Sequence, residues 1–181
     1  MKPIITQITD DWIKKNDPCR QAIKNWWDKK ERSPIKILEL LIEDKKYDWA
    51  NWFIVRIMKY TGYVAYAVYA AESVINFYEK KYPDDKRPRK AIEAGKKCIK
   101  DPSKKNKAAA RAAARAAADA AAGVAAYAAA YAAADATYAA YAAADAADAA
   151  ARAAAGVAAG VAAGAAMQLK ILEFGMELLI K

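Results

Sequence analysis

Residues with the chemistry for catalysis are few. The chain has no histidine and only two cysteines, Cys19 and Cys98. Zinc sites built from those ligands are therefore excluded, as are Ser-His-Asp and Cys-His nucleophilic arrangements. Carboxylates remain. Asp84 and Asp85 are adjacent in a segment with the composition of a turn, and Asp145 and Asp148 stand three apart, on one side of any helix that carries them. Two carboxylates divide acid and base roles only when their surroundings separate their pKa values across a cleft. Neither pair is accompanied by a nucleophile, a G-x-G-x-x-G turn or a P-loop, and a magnesium site made of carboxylates is the one metal chemistry left open. The expectation is a protein without catalytic residues, cofactor or metal.

Two charges sit in unusual company. Arg56 lies within "WFIVRIM" and Glu72 within "AYAAESVINFYEKKY", each among apolar or small neighbours. A buried charge without a partner is costly, so each is expected to pair, with the other or with Asp135, Asp145 or Asp148. They are candidates for a structural ion-pair network or for ligand contact.

The elements that would hold these residues are all helical. Thr9 or Asp10 is placed to cap a first helix, and Ser33 followed by Pro34 gives an N-cap with proline at the first helical position. Ile35, Leu38, Leu41 and Ile42 recur on one face. Trp49, Trp52, Phe53, Val55, Ile57 and Met58 form the apolar set of the next helix, and a long helix over 62–82 ends at Pro83. After Pro88 another helix shows Ala91, Ile92, Gly95, Cys98 and Ile99 on its apolar side, and Asp101-Pro102-Ser103 forms a turn leading into the next. No stretch alternates with period two for long enough to require a sheet.

Residues 108–166 hold 40 Ala in 59 positions and no Pro, so helix propensity is close to its maximum. Arg111, Arg115, Asp119, Gly123, Tyr127, Tyr131 and Asp135 fall every fourth place, followed by Tyr138, Tyr141, Asp145, Asp148 and Arg152. One unbroken helix over this tract would extend roughly 88 Å, too long for a compact domain of this mass, so breaks are expected near Gly123 and Gly156. Alanine permits close helix packing, while Tyr supplies area and a hydroxyl. Asp135, Asp145, Asp148 and Arg152 make a membrane span costly. Large side chains return in "MQLKILEFGMELLIK", which fills the core that alanine cannot fill.

The expected fold is thus an all-α, compact multi-helix bundle with closely packed Ala/Tyr-rich helices. It forms a single helical domain over 1–181, divided into a basic Trp/Tyr-rich part (1–107), alanine-rich helices (108–166) and a C-terminal core helix (167–181). The two cysteines make no disulfide framework and no cleavable leader pattern opens the chain, so the expected location is cytoplasmic, with reduced thiols.

Charge is unevenly distributed. Residues 1–107 carry 25 Lys and Arg against 15 Asp and Glu, whereas residues 108–181 carry 5 against 6. Within 86–107, ten basic residues face only Glu93 and Asp101. Such a field attracts phosphate, nucleic acid or an acidic protein surface. No helix-turn-helix, zinc finger or aromatic sheet motif accompanies it, so nucleic-acid contact through these residues would be phosphate-dominated and salt-sensitive.

Three short segments carry a resemblance. Asp48, Trp49, Ala50, Trp52, Val55 and Arg56 form one; Ala70, Ala71 and Glu72 a second; Tyr82, Pro83, Asp85, Arg87 and Pro88 a third. From about residue 33 to the C-terminus the chain resembles the immunity proteins encoded beside bacterial polymorphic toxins, departing from them at "KYTGYVAYAVYAAES", where Tyr and Gly replace bulkier or more polar residues. The resemblance implies an all-helical protein that neutralises a protein partner by stoichiometric binding, without turnover. A phage or host counter-defence protein that binds a protein or sequesters a small ligand is the alternative. Partner-binding candidates are Trp49, Trp52, Asp85, Arg87 and Arg89, with Tyr127, Tyr131, Tyr138 and Tyr141 from the alanine tract. An inhibitor this basic is expected to meet an acidic surface, or to make its contact through the less basic alanine-rich half.

Overall fold

A computed structural model describes residues 5–27, 30–120 and 157–180. These form eight helices and no strand: α1 (Asp10–Asn16), α2 (Arg20–Trp27), α3 (Pro34–Glu43), α4 (Tyr47–Ile57), α5 (Tyr60–Lys81), α6 (Arg87–Lys100), α7 (Lys104–Ala120) and α8 (Val157–Ile180). The all-α expectation holds. Among the described residues no helix is long and apolar enough to cross a membrane. The expected break near Gly123 and the pattern over Tyr127 to Arg152 lie outside the described residues. The C-terminal helix starts earlier than its large side chains indicate: α8 already runs from Val157 and includes Gly160 and Gly164.

Local chemistry explains the boundaries. Thr9 accepts a hydrogen bond from the Trp12 N–H at 3.1 Å, satisfying one of the donors that a helix start leaves unpaired. Asp10 and Asp11 in the first turn and Lys14 and Lys15 in the last complement the helix dipole. α1 stops at Asp17, whose φ of 44° is left-handed and whose N–H donates to the Ile13 carbonyl; Pro18 follows. Ser33 caps α3 with Pro34 at its start. Before α7, the Asp101 carboxylate accepts from the Ser103 N–H and hydroxyl and from the Asn106 amide, while Ser103 Oγ accepts from the Asn106 N–H.

The main core is built from α3, α4, α5 and α8. Ile37, Leu38 and Leu41 of α3 meet Phe53, Ile54 and Ile57 of α4, Tyr66 and Ala70 of α5, and Ile171, Leu172 and Leu179 of α8. The buried face of α3 is centred on Ile37, Leu38 and Leu41, with the expected Ile35 and Ile42 at its edges. α8 comes close at Gly175: a Cβ there would lie 2.5 Å from Ile54 Cδ1 and 2.6 Å from Tyr66 Cε2. Tyr69 stacks on Phe174, with ring centroids 4.0 Å apart. One polar chain crosses this apolar region. The Tyr66 hydroxyl donates to Asn51 Oδ1, and Asn51 Nδ2 donates to the Tyr47 carbonyl at 3.0 Å. Complete burial raises the Tyr66 hydroxyl pKa far above the ordinary phenol value, so it stays protonated and donating.

A thinner layer lies on the other side of α5. Val64, Val68, Ala71 and Ile75 pack against Ile92 of α6, and Cys98 of α6 against Ala110 of α7. The apolar side of α6 matches expectation: Ala91, Ile92, Gly95 and Cys98 are buried and Ile99 is half-buried.

Candidate functional site

The Trp-rich turn of α4 presents two kinds of residue. Ala50, Phe53, Ile54, Val55 and Ile57 are buried in the main core. Asp48 is exposed, and Trp49 and Trp52 are half-buried. With Asp17, Pro18, Cys19 and Ala22 from the α1–α2 turn and α2, these three line a cleft of about 320 Å³. That volume lies at the lower end of the range for small-ligand pockets.

The cleft walls are held by packing on α1 and α4. Trp12 of α1 meets Trp52 edge-on at 6.1 Å between centroids and Phe53 at 5.6 Å. The Arg56 guanidinium carbon lies 3.9 Å from the Trp52 ring centroid, and Arg56 Nη1 donates to the Trp52 carbonyl at 2.7 Å. Lys46 Nζ stands 5.7 Å from the centroid of Trp49. Both tryptophans therefore already present ring faces to cations. Pro18 is buried and Ala22 is 3% exposed, so they supply a packed apolar wall, while Cys19 is exposed.

The other candidate residues are dispersed. Glu72 pairs with Lys96 of α6 at 2.5 Å, with side chains 36% and 50% exposed. It is half-buried and paired, as a charge among small and apolar neighbours requires, at the rim where α6 supplies the amine. Arg56 is half-buried on Trp52, so Arg56 and Glu72 do not form the pair that their settings suggested. Arg87 donates to the Asp85 carboxylate through Nε and Nη2 at 2.8 and 3.0 Å, closing the turn before α6. Arg89 makes a two-point contact with Glu79 of α5, at 2.8 and 2.5 Å. That guanidinium draws the Glu79 carboxyl pKa below its ordinary value. Asp85, Arg87 and Arg89 therefore each have an intramolecular partner. Asp135, Asp145, Asp148, Tyr127, Tyr131, Tyr138 and Tyr141 lie outside the described residues.

Of the partner-binding candidates, the structure brings Trp49 and Trp52 together in this cleft and pairs Asp85 with Arg87 at the turn before α6. Sequence reasoning missed Asp17, Pro18, Cys19 and Ala22. The only signal for them was Pro18, which marks the end of α1 without indicating what the turn faces. Among the described residues no three Cys, Asp or Glu side chains gather where they would hold a metal ion. The cleft brings together two aromatic rings, two carboxylates and an exposed thiol. Comparisons with protein-family models, curated proteins and solved structures found no match.

Proposed function

We propose that the chain is a non-enzymatic immunity or inhibitor protein that neutralises a protein partner by stoichiometric binding in the cytoplasm. The observation that carries this reading is the division of the α4 segment. Ala50 and Val55 are buried, whereas Asp48 is exposed and Trp49 and Trp52, packed on the core along one side, remain half-buried and line a cleft. Tryptophans partly exposed in a concave site are the side chains that anchor protein interfaces. The resemblance of this same segment to immunity proteins points the same way.

The test is capture of a partner from the native cell, followed by growth rescue and activity measurements on the recovered protein. Neutralisation complete at about one equivalent supports the reading. Neutralisation far below one equivalent, with a chemically altered substrate, defeats it. A defence protein as partner would favour counter-defence, and a retained metabolite with no protein would favour ligand sequestration.

A second reading has one observation in its favour. Lys86, Arg87, Lys90, Lys96, Lys97 and Lys100 are exposed along α6, continued by Lys104 and Lys105 at the start of α7. This face suits phosphate contact. Binding to duplex or single strands that persists from about 50 to 200 mM salt would promote the nucleic-acid reading; loss over that range would demote it.

A further inference from the structure

We propose that the cleft between the α1–α2 turn and α4 is a socket for one cationic side chain, Lys or Arg, projected by an otherwise acidic partner protein. The proposal rests on the protein-binding reading above and adds the chemistry of what enters the cleft.

Charge supplies the first argument. The chain as a whole is +9, yet among the described residues this cleft is lined by Asp17 and Asp48 and by no basic residue, Lys46 and Arg56 lying against its tryptophans without lining it. Both carboxylates are exposed, and neither has an ion-pair partner among the described residues. An anion would meet two negative charges there. An apolar plug would strip water from both carboxylates without replacing their hydrogen bonds. A cation satisfies them.

Ring chemistry supplies the second. Trp is the strongest cation-π acceptor among the side chains, and both cleft tryptophans already attract a cation: Lys46, just before α4, at 5.7 Å and Arg56 of α4 at 3.9 Å. An alkyl stem would lie along the wall of Pro18, Ala22 and indole while its charged head reached the carboxylates, the usual division of a Lys or Arg side chain. The cleft volume of about 320 Å³ accommodates such a side chain but not a folded segment.

The third argument is long-range. A basic partner would be repelled by the net +9, most strongly by the α6–α7 face. An acidic partner is attracted at a distance, and the cleft then reads a single cation on it. Specificity follows, because an acidic protein lacking that cation leaves two carboxylates buried and unpaired.

Cys19 provides a local reporter, since it is exposed in the cleft while Cys98 is buried. The full chain would be alkylated with iodoacetamide at constant ionic strength in the presence of acetyl-Gly-Arg-Gly-amide, the Lys analogue, the Gln analogue or agmatine. Indole N–H resonances would be followed in parallel. We expect the Arg and Lys peptides to slow Cys19 alkylation and to shift two indole signals, half-saturating at about 1–10 mM, with the Gln peptide inert. The double variant D17N/D48N should lose this protection by at least about fivefold with its helix signal unchanged, because Asn also tolerates the left-handed conformation at position 17. Equal protection by the Gln peptide, or full protection in D17N/D48N, overturns the proposal. Agmatine binding more than about tenfold tighter than either peptide overturns a protein-borne cation in favour of a free amine. A captured partner that binds D17N/D48N at wild-type affinity overturns the socket but leaves stoichiometric binding standing. Peptide binding in a chain that neutralises no protein supports the cation site and defeats the reading on which it rests.

Discussion

α5 packs on two sides by different means. Toward α3, α4 and α8 it offers Tyr66 and Ala70 to a region of large apolar side chains. Toward α6 it offers Val64, Val68, Ala71 and Ile75 to a thinner layer, whose edge is tied by Glu72–Lys96 and Glu79–Arg89. Buried apolar area and its close packing dominate stability, whereas ion pairs at a solvated edge contribute little. The first side therefore sets the stability of the fold, and the second positions a charged surface at small energetic cost.

Substitutions separate the two sides. The largest loss is expected for Leu172→Ala, which empties a fully buried position and should cost about 2–5 kcal/mol by chemical denaturation. Tyr66→Phe comes next, at about 1–3 kcal/mol, because it leaves the Asn51 carbonyl oxygen buried without its donor. An Asn51→Leu companion that restores stability would confirm that the loss arises from an unpaired group.

The two close-approach glycines sharpen the contrast. Alanine at either gains about 1 kcal/mol of helix propensity. At Gly175 the new methyl meets an aromatic ring and Ile54, both held by the core, so a net loss of about 1–2 kcal/mol is expected. At Gly95 it meets only Val68 Cγ2, 2.7 Å away, in the thinner layer. Gly95→Ala should therefore be close to neutral, and an equal loss at both positions would remove the distinction between the sides.

Ion-pair changes should be smaller still. Glu72→Ala is expected to cost less than about 1 kcal/mol, since both partners are substantially exposed. Of these two ion pairs, Glu79–Arg89 contributes a pH dependence. Its folded pKa is lowered chiefly by the Arg89 hydrogen bond, so its contribution is present above the unfolded carboxyl value, about 4.3, and is lost as pH falls through the folded value. The stability difference between the native chain and Glu79→Gln should accordingly shrink from pH about 6 to about 3. A difference that grows over that interval would contradict the assignment.

Much of this architecture is written locally. The Thr9 cap, the Ser33-Pro34 start and the apolar side of α6 each depend on residues within one or two turns, and each is found as read. Glu72 was legible as a charge that needs a partner, but the partner, Lys96, comes from another helix, and no local pattern names it. The cleft was legible only by half. Trp49 and Trp52 stand out in sequence, but their opposing wall comes from a turn about thirty residues away, and no local pattern encodes which helix that turn faces.

The most direct measurement is a calorimetric titration of the captured partner with the native chain and with Trp49→Ala, after confirming that both melt cooperatively. Binding that saturates at one equivalent for the native chain, and is at least about tenfold weaker for Trp49→Ala, is the expected result. Unchanged affinity in Trp49→Ala would remove the α4 cleft from the interface, and neutralisation well below one equivalent would show that the chain acts by turnover.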